Sequence, residues 1–354
     1  MTKTRVLIVD DSAVMRQILT EILSHDPEIE VIGAAADPIV ARDKIKTLNP
    51  DVLTLDVEMP RMDGLSFLEK LMRARPMPVL MVSSLTEQGA ATTLRAMELG
   101  AIDFVTKPKI DVRKGTLDMA DEIVQKVKVA ARARVRPGSP YRAAPTRPAG
   151  SAHSVAGALL KSTHTVIAVG ASTGGTEALR EFLAPLPSDT PGIVVVQHMP
   201  ASFTKSFADR LDTQCQMRVK EAAEGDRILP GHVLIAPGDF HMRVLRSGAV
   251  YSVTVNHEER VNRHRPSVDV LFDSCAQNLG ANVVGVILTG MGADGARGML
   301  AMRNAGARTI AQDEATSVVY GMPREAVLAG GVEQVLPLQS IPDAVLRAVA
   351  EDRR

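Results

Sequence analysis

Residues 163–182 read THTVIAVGASTGGTEALREF. The first half is rich in β-branched residues, Val166, Ile167 and Val169 among them, and it stops at Gly170, so it reads as a strand. Thr176 to Phe182 reads as a helix, and Gly170-Ala171-Ser172-Thr173-Gly174-Gly175 turns the chain between them. Glycines permit the tight turn that such a junction requires. Strand, turn and helix in succession form the repeating unit of a parallel α/β sheet.

The unit recurs along the chain. Upstream, RVLIVD (5–10), VIGAAA (31–36), DVLTLD (51–56), PVLMVSS (78–84) and DFVTKP (103–108) are short strands alternating with segments of helical period. Val14, Met15, Ile18, Leu19, Ile22 and Leu23 are spaced as one buried helix face, and Asp37-Pro38 is an N-cap followed by a first-turn proline. Downstream, GIVVVQH (192–198), HVLIAPG (232–238), GAVYSVTV (248–255) and NVVGVILTG (282–290) are strands, with helical stretches from Thr176, Phe203, Val268 and Gly295. Between the two series, residues 132–162 carry scattered Arg with repeated Pro, Gly, Ala and Ser and no period. That composition suits a solvated connector, although its arginines also suit an anion-binding patch. The expected fold class is therefore α/β throughout: a flavodoxin-like (βα)5 domain over 1–124, a linker over 125–162, and a larger doubly wound, mostly parallel α/β domain over 163–354.

Composition narrows the setting. The 354 residues carry 41 basic and 41 acidic side chains, so net charge favours no nucleic-acid partner, and the second half has no basic stripe. Two cysteines, Cys215 and Cys275, cannot build a disulfide framework, which points to a reducing, cytoplasmic compartment. Apolar runs such as residues 283–288 are far shorter than the ~18 residues of a membrane span, so no membrane insertion is expected. Lys3 and Arg5 precede an apolar run that Asp10 and Asp11 end at once, as a strand would and a secretory leader would not. The 16 methionines read as core filling.

Ligands of open parallel sheets bind beyond the carboxyl ends of the strands. In the first half those ends carry Asp10, Asp11, Asp56, Ser83 and Lys107. Converging carboxylates repel unless a cation compensates them, and Mg²⁺ suits such oxygen ligands. Lys107-Pro108 adds a positive charge and a rigid turn. One aspartate at a strand end is more often a cap or a turn residue; five such positions on one edge are not explained that way.

In the second half Ser172 has the strand–turn–helix context of a nucleophile elbow. The same glycines also suit a phosphate cradle, and Ser172 or Thr173 suits a helix cap. A serine nucleophile needs a base and an orienting carboxylate. Of His198, His241 and His264, the first ranks highest because it ends a nearly continuous apolar strand of the kind found at a sheet's centre. Asp294 follows the strand at 282–290, and its spacing alone favours an N-cap of the next helix over a triad member. The chain order Ser, His, Asp differs from the Ser, Asp, His of α/β-hydrolases.

Two resemblances attach to these motifs. DD after the first strand, LDVEMPRMDG around the third, SS after the fourth and FVTKP after the fifth resemble a response-regulator receiver domain. This implies that Asp56 is the phosphoacceptor, that Asp10, Asp11, Asp56 and the Glu58 carbonyl surround Mg²⁺, that Ser83 and Lys107 engage the phosphoryl group, and that Phe104 is the switch aromatic. GASTGG, VVQHMP and TGMGADGARGM, behind those motifs, resemble the chemotaxis response-regulator methylesterase family from about residue 4 to 345. That resemblance implies a Ser172, His198, Asp294 triad and an oxyanion site using the Met291 amide, with Thr173 beside it. Through PGDFHM and NRHRPSVD it also implies substrate contacts at His241, His264 and Arg265. The implied activity is hydrolysis of glutamate methyl esters, and deamidation of glutamines, on methyl-accepting chemoreceptors. A chemotaxis histidine kinase would be the phosphodonor, phosphorylation of Asp56 would uncover Ser172, and the esterase would need no cofactor. A DNA-binding regulator would instead end in a compact basic helical module. A nucleotide-binding domain built on VGASTGG is the stronger rival.

Overall fold

A computed structural model describes residues 3–59, 63–84, 86–107, 115–133, 135 and 165–351. The chain divides into two compact units, Met1–Tyr141 and Arg142–Arg354. The described residues contain no helix long and apolar enough to cross a membrane.

The first unit runs β1 (Thr4–Val9), α1 (Ala13–Ser24), β2 (Ile29–Ala35), α2 (Pro38–Leu48), β3 (Val52–Asp56), α3 (Gly64–Ala74), β4 (Val79–Ser83), α4 (Glu87–Glu98), β5 (Asp103–Thr106) and α5 (Gly115–Arg132). Its strands pair in parallel in the order β2-β1-β3-β4-β5. β3 and β4 are buried along their whole length, which is why they read as continuous apolar runs. Asp37 caps α2, accepting from the Ile39 and Val40 amides, with Pro38 in the first turn. Met15, Leu19 and Leu23 form the buried stripe of α1; Val14, expected on that face, lies outside the arc and is 53% exposed. The linker expectation also needs correction at its start. Residues 125–132 continue α5, because Ile123, Val127 and Ala130 recur at helical spacing and are fully buried. Pro108 and residues 136–162 of the expected linker lie outside the described residues.

The second unit runs β6 (Val166–Ala171), α6 (Gly175–Leu183), β7 (Ile193–Gln197), α7 (Ala201–Gln214), β8 (Arg218–Glu221), β9 (His232–Ile235), β10 (His241–Ser247), β11 (Val250–Asn256), α8 (Val268–Leu279), β12 (Val283–Ile287), α9 (Ala296–Asn304), β13 (Arg308–Gln312), α10 (Met322–Leu328), β14 (Gln334–Leu336) and α11 (Ile341–Glu351). Seven strands pair in parallel in the order β14-β13-β12-β6-β7-β9-β8. From β6 the chain builds one side through β7, then returns to the other side with β12, so the strand order reverses between β6 and β12. Ligands bind at such reversals. The strand expected at 248–255 belongs to a separate antiparallel hairpin, β10–β11, that packs on α8; the Val244 amide donates to Ser274 Oγ at 2.9 Å.

Candidate active site

Three loops meet at the reversal, after β6, β7 and β12. The first is the Ser172 turn. The Ser172 amide donates to Thr289 O at 3.0 Å, and its carbonyl accepts from the Gly175 amide at 2.7 Å and from Gln197 Nε2 at 3.0 Å. Gly174, at φ +77, occupies the left-handed region that an L side chain resists. It is also the N-cap of α6 and offers no side chain, so neither Ser172 nor Thr173 caps that helix. Gly290, from the loop after β12, comes so close that a Cβ there would lie 2.8 Å from Ser172 Cβ.

His198 follows β7 and Asp294 the loop after β12. Their side chains are only 7% and 1% exposed, and His198 Nε2 lies 2.8 Å from Asp294 Oδ2. Asp294 does not cap α9, whose N-cap is Gly295. It sits instead at the start of α8, accepting from the Val268 amide at 2.6 Å, the Asp269 amide at 3.3 Å and Ser267 Oγ at 2.7 Å. Asn262 Nδ2 donates to it as well, at 2.6 Å. Burial alone would raise its pKa, but the His198 contact and the Asn262 and Ser267 hydrogen bonds hold the carboxyl well below the usual carboxylate range. The positive end of the α8 dipole acts in the same direction. An ionised Asp294 only accepts, so Nε2 of His198 carries a proton, and in the neutral tautomer that this fixes Nδ1 keeps its lone pair. Nδ1 is buried and has no hydrogen-bond partner among the described residues. Ser172 Oγ likewise makes no hydrogen bond among them. Catalytic hydrogen bonds are often long before substrate arrives.

The other sequence candidates fall into different places. His241, the first residue of β10, is fully buried; Nε2 is 2.9 Å from Glu259 O and Nδ1 accepts from the Ser267 amide at 3.2 Å. Both ring nitrogens are occupied within the fold and burial lowers its pKa, so His241 braces the segment that carries Ser267. Arg265 is likewise committed, with Nε and Nη2 on Asp239 Oδ1 at 3.1 and 2.7 Å and Nη1 on Glu258 O at 2.6 Å. The His264 ring stacks on that of His198, centroids 3.7 Å apart and planes 10° from parallel. Thr173 is 3% exposed, and its carbonyl accepts from Thr289 Oγ1 at 3.0 Å. Gly290 O accepts from the Gly321 and Met322 amides, which pins the loop, while the Met291 amide has no main-chain acceptor among the described residues. Sequence reading missed Gln197, Asn262 and Ser267. Gln197 Nε2 donates to the carbonyls of both Ser172 and His198, at 3.0 and 3.2 Å. Its position just before His198 was the one available signal.

The first unit has its own cluster where the strand order reverses, between β1 and β3. Carboxylate oxygens of Asp10, Asp11 and Asp56 lie within 4.8 Å of one another. Lys107 Nζ is 2.8 Å from Asp56 Oδ2 and 3.5 Å from Asp10 Oδ2. Burial raises both the Asp10 and Asp56 pKa values, the latter to about 6 despite Lys107. The buried Asp10 Oδ2 has no hydrogen bond, so with Asp11 exposed at the rim these hard oxygen donors fit a divalent cation. The Glu58 amide donates to Asp56 Oδ1 at 3.1 Å, and the Glu58 carboxylate accepts from Ser84 Oγ. Ser83 is buried, with its hydroxyl bonded to Thr93 Oγ1 at 2.7 Å and 3.3 Å from Gly89 O. That places its oxygen in contacts with α4. Phe104 is buried in β5, with Lys126 Nζ 5.3 Å from its ring centroid.

These features agree with what the whole chain is similar to. A family model described as CheB methylesterase matches residues 167–345, and one described as response regulator receiver domain matches residues 6–114. Among curated relatives, protein-glutamate methylesterase/protein-glutamine glutaminase 2 of Cupriavidus pinatubonensis is 59% identical over 98% of this chain and 96% of its own length. The Salmonella typhimurium protein-glutamate methylesterase/protein-glutamine glutaminase is 58% identical over 99% of this chain and 98% of its own. The crystal structure of the Thermotoga maritima CheB methylesterase catalytic domain is 40% identical, with a TM-score of 0.51, covering 52% of this chain and 97% of that one. The chain therefore belongs to the CheB methylesterase family, and it carries a response-regulator receiver domain ahead of the catalytic one.

Proposed function

We propose that this chain is a phosphorylation-activated hydrolase that cleaves glutamate methyl esters, and deamidates glutamines, on methyl-accepting chemoreceptors. The observation that carries the reading is the buried His198–Asp294 pair at the strand reversal, with the free Nδ1 of His198, beside the glycine-flanked Ser172. Relatives alike over nearly the whole chain bear both activities in their names.

In this reading Ser172 Oγ attacks the side-chain carbonyl while His198 Nδ1 takes its proton. Asp294 keeps Nε2 protonated and stabilises the imidazolium that forms. The Met291 amide donates to the developing oxyanion, and donors preorganised for such charge are usually the largest single catalytic term. The imidazolium returns the proton to the leaving group, so methanol departs from an ester and ammonia from an amide. Water, deprotonated by Nδ1, then hydrolyses the acyl-serine and releases a free glutamate.

Asp56 is the phosphoacceptor of the receiver unit, with a chemotaxis histidine kinase as donor. Asp10, Asp11, Asp56 and the Glu58 carbonyl would hold Mg²⁺, which when bound offsets the charge of the incoming phosphoryl group. Lys107 supplies a second positive charge, and Ser83 would have to leave its contacts with α4 to reach the phosphoryl oxygens. Phosphorylation relieves a restraint on Ser172; each ~1.4 kcal/mol of preference between receiver states changes the active population about tenfold. The protein acts in the cytoplasm, without nucleic acid and without inserting in the membrane. Loss of methanol release from a methylated receptor fragment in Ser172→Ala tests the assignment; retention of the wild-type rate would refute it.

A further inference from the structure

The segment Val261–Arg265 is a turn closed on itself, the Val261 amide donating to His264 O at 3.1 Å and the His264 amide to Val261 O at 2.9 Å. Two successive residues in it, Asn262 at φ +52 and Arg263 at φ +67, are left-handed. Asparagine tolerates that region; arginine does so at a cost, and strained backbone persists only where its surroundings hold it. Three side chains hold this one. Asn262 Nδ2 donates to Asp269 Oδ2 at 2.8 Å and to Asp294 Oδ1 at 2.6 Å. His264 stacks on His198, and Arg265 is tied to Asp239 and to the Glu258 carbonyl.

The turn therefore touches both members of the His198–Asp294 pair, on different atoms. An imidazole held by one hydrogen bond, here through Nε2, can still rock about that bond and change where Nδ1 points. A parallel ring with its centroid 3.7 Å away blocks the rocking on one face. Asn262 acts on the carboxylate in the same sense, fixing the oxygen that does not bond His198. We infer that Asn262 and His264 are positioning residues that orient the catalytic base, a role distinct from contact with substrate. The inference rests on Ser172, His198 and Asp294 being the reacting groups.

The test uses the full chain and four variants. Asn262→Gly keeps the left-handed backbone and removes only the amide; His264→Ala removes the stack; His264→Phe restores a flat ring without its nitrogens; Ser172→Ala is the control. Because small misplacements of reacting groups are costly, Asn262→Gly and His264→Ala should each lower kcat for ester cleavage about ten- to a hundredfold. KM should stay within about twofold, as expected when orientation and not binding is lost. His264→Phe should recover kcat to within about threefold of wild type, since it restores a flat ring against His198. A second readout needs no turnover: the low-field proton resonance of His198 Nε2–H, hydrogen-bonded to Asp294, should move upfield or broaden in Asn262→Gly and His264→Ala. Unchanged kcat and resonance, a loss confined to KM, or His264→Phe as impaired as His264→Ala would overturn the inference. Should His264→Ala not fold, His264→Leu, which keeps the packing volume without a ring, takes its place under the same criteria. Wild-type activity in Ser172→Ala would instead overturn the reading of the site, and the proton resonance would still judge the positioning role.

Discussion

In the proposed triad, the Asp294 carboxylate would serve activity and stability at once. Its depressed pKa means that folding favours the charged form, so its contribution is fully present above the unfolded value of 3.8 and is lost as pH falls through the still lower folded value. Asp294→Asn should therefore be less stable than wild type at pH 7, by roughly 1–3 kcal/mol given the helix terminus and hydrogen bonds involved. The gap should begin to narrow below about pH 4 and keep narrowing as pH falls further, as urea unfolding at several pH values would reveal. The same variant should lose about a hundredfold or more in kcat, because an amide cannot hold the required tautomer. Asp56 has the opposite sign. Burial raises its folded pKa from 3.8 to about 6, so its charge destabilises the fold above that pH and the penalty vanishes below about 4. In the absence of Mg²⁺, Asp56→Asn should gain up to roughly 3 kcal/mol at pH 7 and nothing at about pH 3.5, since each tenfold change in proton affinity is worth about 1.4 kcal/mol. A stability gain independent of pH would contradict this.

Ser172, His198 and Asp294 were legible as residues because each follows a strand with a strong apolar signature, and strand ends of a parallel sheet share one edge. His241 also lies just past a strand in sequence, yet it opens β10 and faces inward, a distinction that depends on a hairpin whose first strand was not recognised. Asn262, Ser267 and Gln197 were not legible. Small polar residues in loops acquire meaning only when folding brings them to a carboxylate or a carbonyl, and nothing in their spacing announces that.

At the scale of elements, the start of α8 accounts for more of the site than any single loop. It donates two main-chain amides and Ser267 Oγ to Asp294, and so turns a helix terminus into a fixed charge support. The alternative that Asp294 is merely a cap was half right in physics: it does cover a helix start, but that of α8 and not α9, the helix that follows it in sequence. The loop after β12 is the second such element. Because a Cβ at Gly290 would lie 2.8 Å from Ser172 Cβ, Gly290→Ala should displace the serine or the loop. A tenfold or greater fall in kcat is expected, as about 1 Å of misplacement suffices for that. The melting temperature should change by only a few degrees, as for about 1 kcal/mol in a domain of this size. Normal kcat in Gly290→Ala would show that the close approach is incidental. The central strands β3, β4, β6, β7 and β12 announced themselves as apolar runs. Peripheral β8 and β14 did not, being four and three residues long with exposed positions that break the pattern, and β13 did not because Arg308, Thr309 and Gln312 leave it only a two-residue apolar run.

At the scale of the whole molecule, the chain joins two parallel-sheet units that use the same device, a strand-order reversal, for two chemistries. One gathers carboxylates and a lysine around Asp56; the other gathers a serine, an imidazole and a carboxylate. The α/β class and the two-unit plan followed from the alternation of strands and helices. The end of α5 did not, because buried positions at 127 and 130 sit inside a stretch whose arginines and alanines resemble a connector. If phosphorylation of the first unit governs the second, methanol release from a methylated receptor cytoplasmic fragment should respond to it. Wild type and Ser172→Ala would each be measured with and without acetyl phosphate and Mg²⁺. Release should rise with phosphodonor in the wild type and fall by about 10³-fold or more in Ser172→Ala under both conditions. Wild-type release that does not change with phosphodonor would contradict the coupling, and no release under any condition, or a rate in Ser172→Ala equal to wild type, would contradict the esterase itself.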